Sequence, residues 1–437
     1  MSVISRRWWA PRAQRSSRDW RSLFELLLTV SAVAAAIGGA YTFVVQPLVG
    51  TFTGPFEDFG AYAGAAHALA TGTSPYASFG GATIVMTGFD YPPFAAVLLR
   101  PLAFLSARWQ ELVWLWIALG ALLGGAVITA RALLPATWPR LRIAVFVALT
   151  FPPATYNLWH GQMNTVIFLL LALALSDYLS GHRTRSAVIL GVAAGIKIAP
   201  VVLLLVLVRR GWWRAALTGV ATVAATVAIG VGALGWPVTR HYVTSVLPVL
   251  NRDNGWIYNQ TWNGVVNRLA HHSVLTVDAP SVWLHGVATA LSLLTVGALW
   301  FAVSAGQRTR AQRGAEFACG VTVMLLVGSI AWYPVYVHLL IAIAAALGMA
   351  HERGRLGRAL VGSSTAALVG VGVVGGAAIA ALTVSGIGAA AASPAWWLFL
   401  QACSLPAALA AALLMVMIRA LRQAAASTDV RGAALAQ

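Results

Sequence analysis

Residues 186–208 read SAVILGVAAGIKIAPVVLLLVLV, and Lys197 in the middle of this apolar run is the only lysine of a chain that carries 28 arginines. A charged amine near the centre of a bilayer costs roughly 3 kcal/mol on insertion scales, so it needs an anionic partner and marks a functional site by default. The run also breaks at that residue. Gly195 and Pro200 flank it; proline removes a backbone donor and disfavours helix in the residue before it, and membranes tolerate such irregular backbone where it lines a polar cavity. The pieces 186–197 and 199–209 are each about 12 residues, too short to cross alone at about 1.5 Å per residue. The segment is therefore expected to enter the membrane and return, with Lys197 at the tip.

Charge supports the hairpin over a single span. With it, twelve apolar segments follow, at 22–48, 110–131, 142–159, 163–180, 186–197, 199–209, 212–236, 281–305, 314–332, 336–350, 359–385 and 395–420. The clusters Arg131/Arg140/Arg142, Arg183/Arg185, Arg209/Arg210/Arg214, Arg308/Arg310/Arg313, Arg353/Arg355/Arg358 and Arg419/Arg422/Arg431 then join the arginine-rich N-terminus on one side, 23 of the 29 basic residues together. Reading 186–209 as one span and 94–105 as another would export two clusters, against the positive-inside bias. Phe94 to Leu105 becomes a helix lying at the outer surface. The reading is an all-α polytopic membrane protein, one integral membrane domain over 1–437, with a first external loop at 49–109 and a long external loop at 237–280. It places the chain in the plasma membrane with cytoplasmic termini.

Composition excludes several classes. The chain is 59% hydrophobic and 9% charged, which leaves no soluble domain of useful size. Its net charge of +17 comes from arginines between apolar runs, so no nucleic-acid partner is expected. Arg6 to Arg21 precede an apolar run too long for a secretory signal, and the first span is read as uncleaved. Cys319 and Cys403 both lie in apolar runs without metal-ligand spacing, and no GxxxxGK[ST] run is present.

The polar residues that could carry chemistry fall on the outer side of this topology. Glu57 and Asp58 open the first loop: a carboxylate there can act as a base, and a helix N-cap is its competing use. Asp90, Tyr91, Pro92, Pro93 and Phe94 suit the start of a helix, and Tyr91 could also face a sugar. His160, Gly161, Gln162, Met163 and Asn164 form a tight turn whose imidazole and amides are donors for hydroxyls or phosphate. Lys197 lies beside the start of the next helix, where a phosphate would be favoured; a snorkelling lysine is the alternative. Tyr258 to Asn263 mix amides and aromatics as carbohydrate sites do, though Asn259 to Thr261 also matches a glycosylation sequon. Trp332 to His338 make a further external turn, where a structural histidine is the plainer use. No carboxylate cluster or His/Cys spacing indicates a metal.

Taken together, Asp58 in the first external loop, YPPF at 91–94, GQxN at 161–164 and GxKxxP at 195–200 resemble glycosyltransferase family 87. These are actinobacterial polyprenol-phosphate-mannose-dependent α-1,2-mannosyltransferases of the C superfold (GT-C). The GPFEDFGAY run and the overall length look most like the members that elongate phosphatidylinositol mannosides. The resemblance implies Asp58 as catalytic base and an inverting, metal-independent transfer from polyprenyl-phosphate-mannose to a phosphatidylinositol mannoside. It implies Lys197 as the group that neutralises the departing phosphate, with His160 and His338 as helpers. Glu57, Tyr62, Tyr91, Gln162, Asn164, Asn259, Gln260 and Trp332 become candidate sugar contacts. A sibling enzyme that branches lipomannan is the near alternative, and a lipid or solute transporter the rival class, since carriers also use many spans and broken helices.

Overall fold

The computed structural model describes residues 12–51, 56–77, 79, 88–271, 281–350, 354–376 and 403–435. Every regular element among them is helical: α1 Arg12–Ala40, α2 Gln46–Val49, α3 Glu57–Ala70, α4 Pro93–Leu99, α5 Ala107–Leu133, α6 Arg140–Thr150, α7 Pro152–His160, α8 Asn164–Ser180, α9 Arg183–Ile196, α10 Leu204–Arg209, α11 Trp213–Leu234, α12 Trp236–His241, α13 Leu247–Leu250, α14 Trp262–His271, α15 Val282–Ala302, α16 Arg310–Val327, α17 Leu339–Ala350, α18 Gly354–Val369 and α19 Leu405–Leu435. One isolated antiparallel bridge joins Asn259 to Trp332. Arg6, Arg7, Arg353 and parts of the last two expected spans lie outside the described residues.

Six helical stretches among the described residues are long and apolar enough to cross a membrane: Glu25–Val49, Ala107–Leu133, Trp213–Leu234, Val282–Ala302, Tyr333–Ala350 and Leu405–Ala424. The shorter apolar helices α8, α9 and α10 pack among them. The outer members keep large apolar side chains exposed, among them Leu217, Val220, Leu293 and Leu294. Such a surface suits lipid as solvent.

The segment around Lys197 folds as the expected hairpin. Helix α9 ends at Ile196, Lys197 is extended at φ −143° and ψ 119°, and a 3-10 turn over Ala199–Leu203 leads into α10. The chain then returns to its starting level: the Arg183 guanidinium lies 4.5 Å from the centre of the Trp212 ring. Arginines gather there. Arg313 donates to the Leu179 carbonyl at 3.3 Å, Arg308 to the Leu421 carbonyl at 3.1 Å, and Arg140 to the Arg131 carbonyl at 2.8 Å. Glu316, fully buried in α16, receives Arg308 Nε at 3.2 Å and lies 3.6 Å from Arg210 Nη1. This carboxylate ties the two loops of the arginine end to the bundle.

Segment 94–105 forms α4 and a 3-10 turn over Arg100–Phe104, with Pro93, Phe94, Ala95 and Ala96 buried against the bundle and Leu98 and Phe104 exposed. Pro93 packs against Gly230 of α11 so closely that a Cβ there would stand 2.9 Å from its ring. One expectation is corrected: the expected continuous span 142–159 is two helices, since Pro152 and Pro153 cannot continue the bonding of α6 and instead start α7.

Candidate active site

At the end of the bundle opposite the arginines, α3, the α7–α8 turn and the hairpin tip converge. Helix α3 starts abruptly. Phe56 adopts a left-handed φ of +48°, and its N–H donates to the Trp159 carbonyl at 3.1 Å. Left-handed backbone is unfavourable for a bulky residue and persists where neighbours enforce it. Here the Phe56 ring rests on Gly161, itself at φ +68°, where a Cβ would meet Phe59 at 2.8 Å. Glycine is thus required in the turn by conformation and by contact. Trp114 Nε1 donates to the Gly161 carbonyl at 2.6 Å and locks the junction.

This geometry fixes Asp58. It is not an N-cap: Phe56 holds that place, and Asp58 sits in the first turn, where the helix dipole favours a negative charge. Gln162 Nε2 donates to Asp58 Oδ2 at 2.6 Å. The remaining Gln162 oxygen accepts from Asn164 Nδ2 at 2.6 Å, and Asn164 Oδ1 accepts from Lys197 Nζ at 2.8 Å. Every bond of this relay runs in one direction, from ammonium through two amides to carboxylate. The charge at each end strengthens the adjoining bond, and polarised bonds in series reinforce one another. Asn157 anchors the middle, accepting from Asn164 at 2.9 Å and donating to the Pro334 carbonyl at 2.8 Å.

Burial raises the Asp58 carboxyl above its ordinary range; the Gln162 bond and the nearby His160 and Lys197 oppose the rise, and Glu57 adds to it. His160 is stacked on Tyr156 at 4.0 Å and 14°. Burial lowers its pKa despite the two acids nearby. The hydroxyls of Tyr62 and Tyr91 share a hydrogen bond of 2.9 Å, and Met163 N–H donates to Tyr62 at 3.2 Å. Lys197 Nζ lies 5.7 Å from the centre of the Tyr91 ring, within cation–π reach. Asp58, Tyr91, His160 and Lys197 are all half-buried, as side chains lining a cavity would be.

The other candidates are placed differently. Glu57 is exposed one residue outside Asp58. His338 is fully buried next to the relay, within reach of the Lys197 charge and the Asn164 backbone, its Nδ1 2.6 Å from the Val335 carbonyl and its ring 6.3 Å from Phe168. Asn259 is fully buried, donates to the Asn254 and Ser329 carbonyls and accepts from Ala331 N–H, so its amide holds backbone. Gln260 Nε2 is spent on the Ile257 and Cys403 carbonyls. Trp332 is half-buried, in the bridge with Asn259. Two residues escaped sequence reasoning: Asn157, hidden as an ordinary helix residue before a turn, and Asp90, whose charge acts on Lys197 and which prolines just downstream had made look structural. The available signal for Asp90 was scarcity, one of only 12 acids in the chain.

The model of glycosyltransferase family 87 matches residues 89–329, more than half of the chain. The chain belongs to glycosyltransferase family 87. Within this family-87 chain, Asp90, Tyr91, His160, Gln162, Asn164 and Lys197 fall inside the matched stretch, while Asp58 and His338 lie outside it. A polyprenol-phosphate-mannose-dependent alpha-(1-2)-phosphatidylinositol pentamannoside mannosyltransferase of Mycobacterium tuberculosis is 30% identical over 190 residues, 42% of this chain and 43% of that protein. Its namesake from Mycolicibacterium smegmatis is 30% identical over 188 residues, 42% of this chain and 45% of the relative. A polyprenol-phosphate-mannose-dependent alpha-(1-2)-phosphatidylinositol mannoside mannosyltransferase of Mycobacterium tuberculosis is 27% identical over 271 residues, 58% of this chain and 61% of the relative. The matched stretch thus spans less than half the length of the first two relatives.

Proposed function

We propose that this family-87 protein transfers mannose from polyprenyl-phosphate-mannose to a phosphatidylinositol mannoside in the outer leaflet, forming an α-1,2 linkage with inversion. The observation that carries the reading is the Lys197–Asn164–Gln162–Asp58 relay, which puts an amine and a carboxylate at the two ends of one polar wall. Asp58 takes the proton of the acceptor's 2-hydroxyl as that oxygen bonds to the anomeric carbon. The bond from that carbon to the phosphate oxygen breaks, and polyprenyl phosphate departs with its charge held by Lys197. One carboxylate suffices for a single displacement, and a raised pKa makes it a stronger base while ionised. The fixed ammonium stabilises charge that develops on the leaving group, the kind of preorganised electrostatics that contributes most in a water-poor site. With the phosphate so neutralised, the reaction proceeds without a metal.

The arginine clusters at the opposite end support a cytoplasmic placement of that end, with cytoplasmic termini and a periplasmic site, because positive loops are retained inside. A twelve-span C-superfold architecture is part of the same reading. The test is incubation of the purified protein with radiolabelled polyprenyl-phosphate-mannose and phosphatidylinositol mannosides of increasing mannose number, with and without chelator. The expected result is one α-1,2-mannose added, unaffected by chelator. Absence of transfer to every acceptor, or a β-linked product, would overturn the proposal.

A further inference from the structure

Asp90 immediately precedes Tyr91, whose ring centre lies 5.7 Å from Lys197 Nζ, and its charge acts on that amine. Yet no other described residue hydrogen-bonds to it or pairs with it as an ion; its one bond comes from its own backbone N–H. It is held firmly. Pro92 and Pro93 follow it, and Tyr76 Oη donates to the Tyr91 carbonyl at 2.8 Å. Its neighbours Phe89 and Tyr91 belong to an aromatic cluster: Tyr76 lies 5.4 Å from Tyr242 and 5.8 Å from Phe89, and Tyr91 lies 5.8 Å from Phe89 and 5.4 Å from Tyr62. Its charge reaches the hydroxyls of Tyr62, Tyr76, Tyr91 and Tyr242.

Asp90 is half-buried, and a carboxylate partly withdrawn from water and given no protein donor is a cost to folding that a ligand's hydroxyls would relieve. Burial accordingly pushes the Asp90 carboxyl up to about 6, against the pull of Lys197. Such a group on a rigid element is a binding element prepared for hydroxyls. A sugar joined to a phosphate through its anomeric oxygen lies within one bond of that phosphate, so a phosphate at Lys197 brings its sugar to the residues that flank the amine. Asp58 is joined to it through the relay, and Asp90 is the neighbour of Tyr91, whose ring lies 5.7 Å from it.

We infer that Asp90 binds the transferred hexose: its two carboxylate oxygens accept hydrogen bonds from neighbouring hydroxyls of the donor sugar, while the Tyr91 ring offers that sugar an apolar face. This rests on the donor proposed above and adds to it the residue that recognises the sugar rather than the phosphate or the lipid. Asp90 makes or breaks no covalent bond. It sets which sugar phosphate is accepted and holds the anomeric carbon towards Asp58.

The test compares wild type with Asp90→Asn and Asp90→Ala, each checked for an intact fold by thermal melting, using polyprenyl-phosphate-mannose and its 2-, 3-, 4- and 6-deoxy forms. Loss of a hydrogen bond to a charged group corresponds to about tenfold to a hundredfold. Asp90→Asn should raise the donor KM by that factor, leave the acceptor KM within about twofold, and leave inhibition by sugar-free polyprenyl phosphate equal or stronger. At least one deoxy donor should be a poor substrate for wild type, while Asp90→Ala treats it like the parent sugar, as non-additivity requires of two groups in contact. An unchanged donor KM, a change confined to the acceptor KM, or full discrimination against every deoxy donor by Asp90→Ala would overturn the inference. If wild type transfers no sugar from any of these donors, the functional proposal fails and this inference with it; if wild type transfers and the Asp90 variants match it, only this inference fails.

Discussion

Gln162 Nε2 donates to Asp58 Oδ2 at 2.6 Å, and because the other Gln162 atom already accepts from Asn164, the amide has one orientation available. Asp58 is half-buried, with Oδ2 held by Gln162 and no hydrogen bond from another described residue to Oδ1, the oxygen the proposed mechanism assigns to a substrate hydroxyl. Removing its charge while keeping its shape isolates the base: Asp58→Asn should lower kcat by about a hundredfold to ten-thousandfold, with donor binding retained. Single-turnover rates beside equilibrium donor binding would check this, and near-normal turnover would remove Asp58 from the mechanism.

Gln162 also tunes the proposed base. Its hydrogen bond opposes the burial that raises the Asp58 pKa. Gln162→Ala removes the opposition, so the Asp58 pKa rises further and the ionised fraction at a given acidic pH falls. The acid limb of the kcat/KM profile should move to higher pH, a shift read directly from rate measurements across the acid range. An unmoved limb would mean that the limb reports another group.

Lys197 meets Asn164 as a compact point charge at 2.8 Å. Lys197→Ala should weaken use of the donor with acceptor binding largely kept. Lys197→Arg should recover only part of it, since the broad planar guanidinium fork does not replace a compact ammonium in a close contact. Equal loss of donor and acceptor binding in Lys197→Ala would make the lysine a structural element.

Asp90 gives a stability prediction with a sign. Its folded pKa of about 6 lies above the ordinary 3.8, so the folded chain binds this proton more tightly than the unfolded one. The cost of keeping Asp90 ionised is present in full above about pH 6 and gone once pH has fallen through 3.8. Asp90→Asn should raise Tm near neutral pH, and the gain should shrink as pH falls from 6 to 4. Melting curves of the two proteins in the same detergent across that range check it; a constant difference would contradict the assignment.

At the other end of the bundle, Glu316→Gln should destabilise without touching the site. It would leave Arg308 and Arg210 facing a neutral amide in a buried position, and breaking one side of such a network costs about 3–5 kcal/mol. The midpoint of denaturation should drop while the donor KM of the remaining folded protein is unchanged.

Much of this site was legible before any coordinates. Asp58, Gln162, Asn164, Tyr91 and Lys197 are rare polar residues in an apolar chain, and counting arginines puts them all on one side. The amides at Asn259 and Gln260 carry the same side-chain chemistry as Asn164 and Gln162, but their NH2 groups donate to the carbonyls of Asn254, Ser329, Ile257 and Cys403, which sequence could not show. Asp90 shows the reverse. Its place before two prolines suits a turn, and only the missing partners distinguish it from one.

The sequence by itself determined that the chain is a membrane protein, which ends of its helices share a side, and that the backbone breaks at Lys197. Those properties follow from hydropathy, charge and proline acting over a few neighbouring residues. The tertiary structure decided which polar groups meet. Asp58 and Gln162 stand 104 positions apart, and Asn164 and Lys197 stand 33 apart. The direction of a hydrogen bond between such distant groups depends on where packing leaves each amide, which no local pattern encodes.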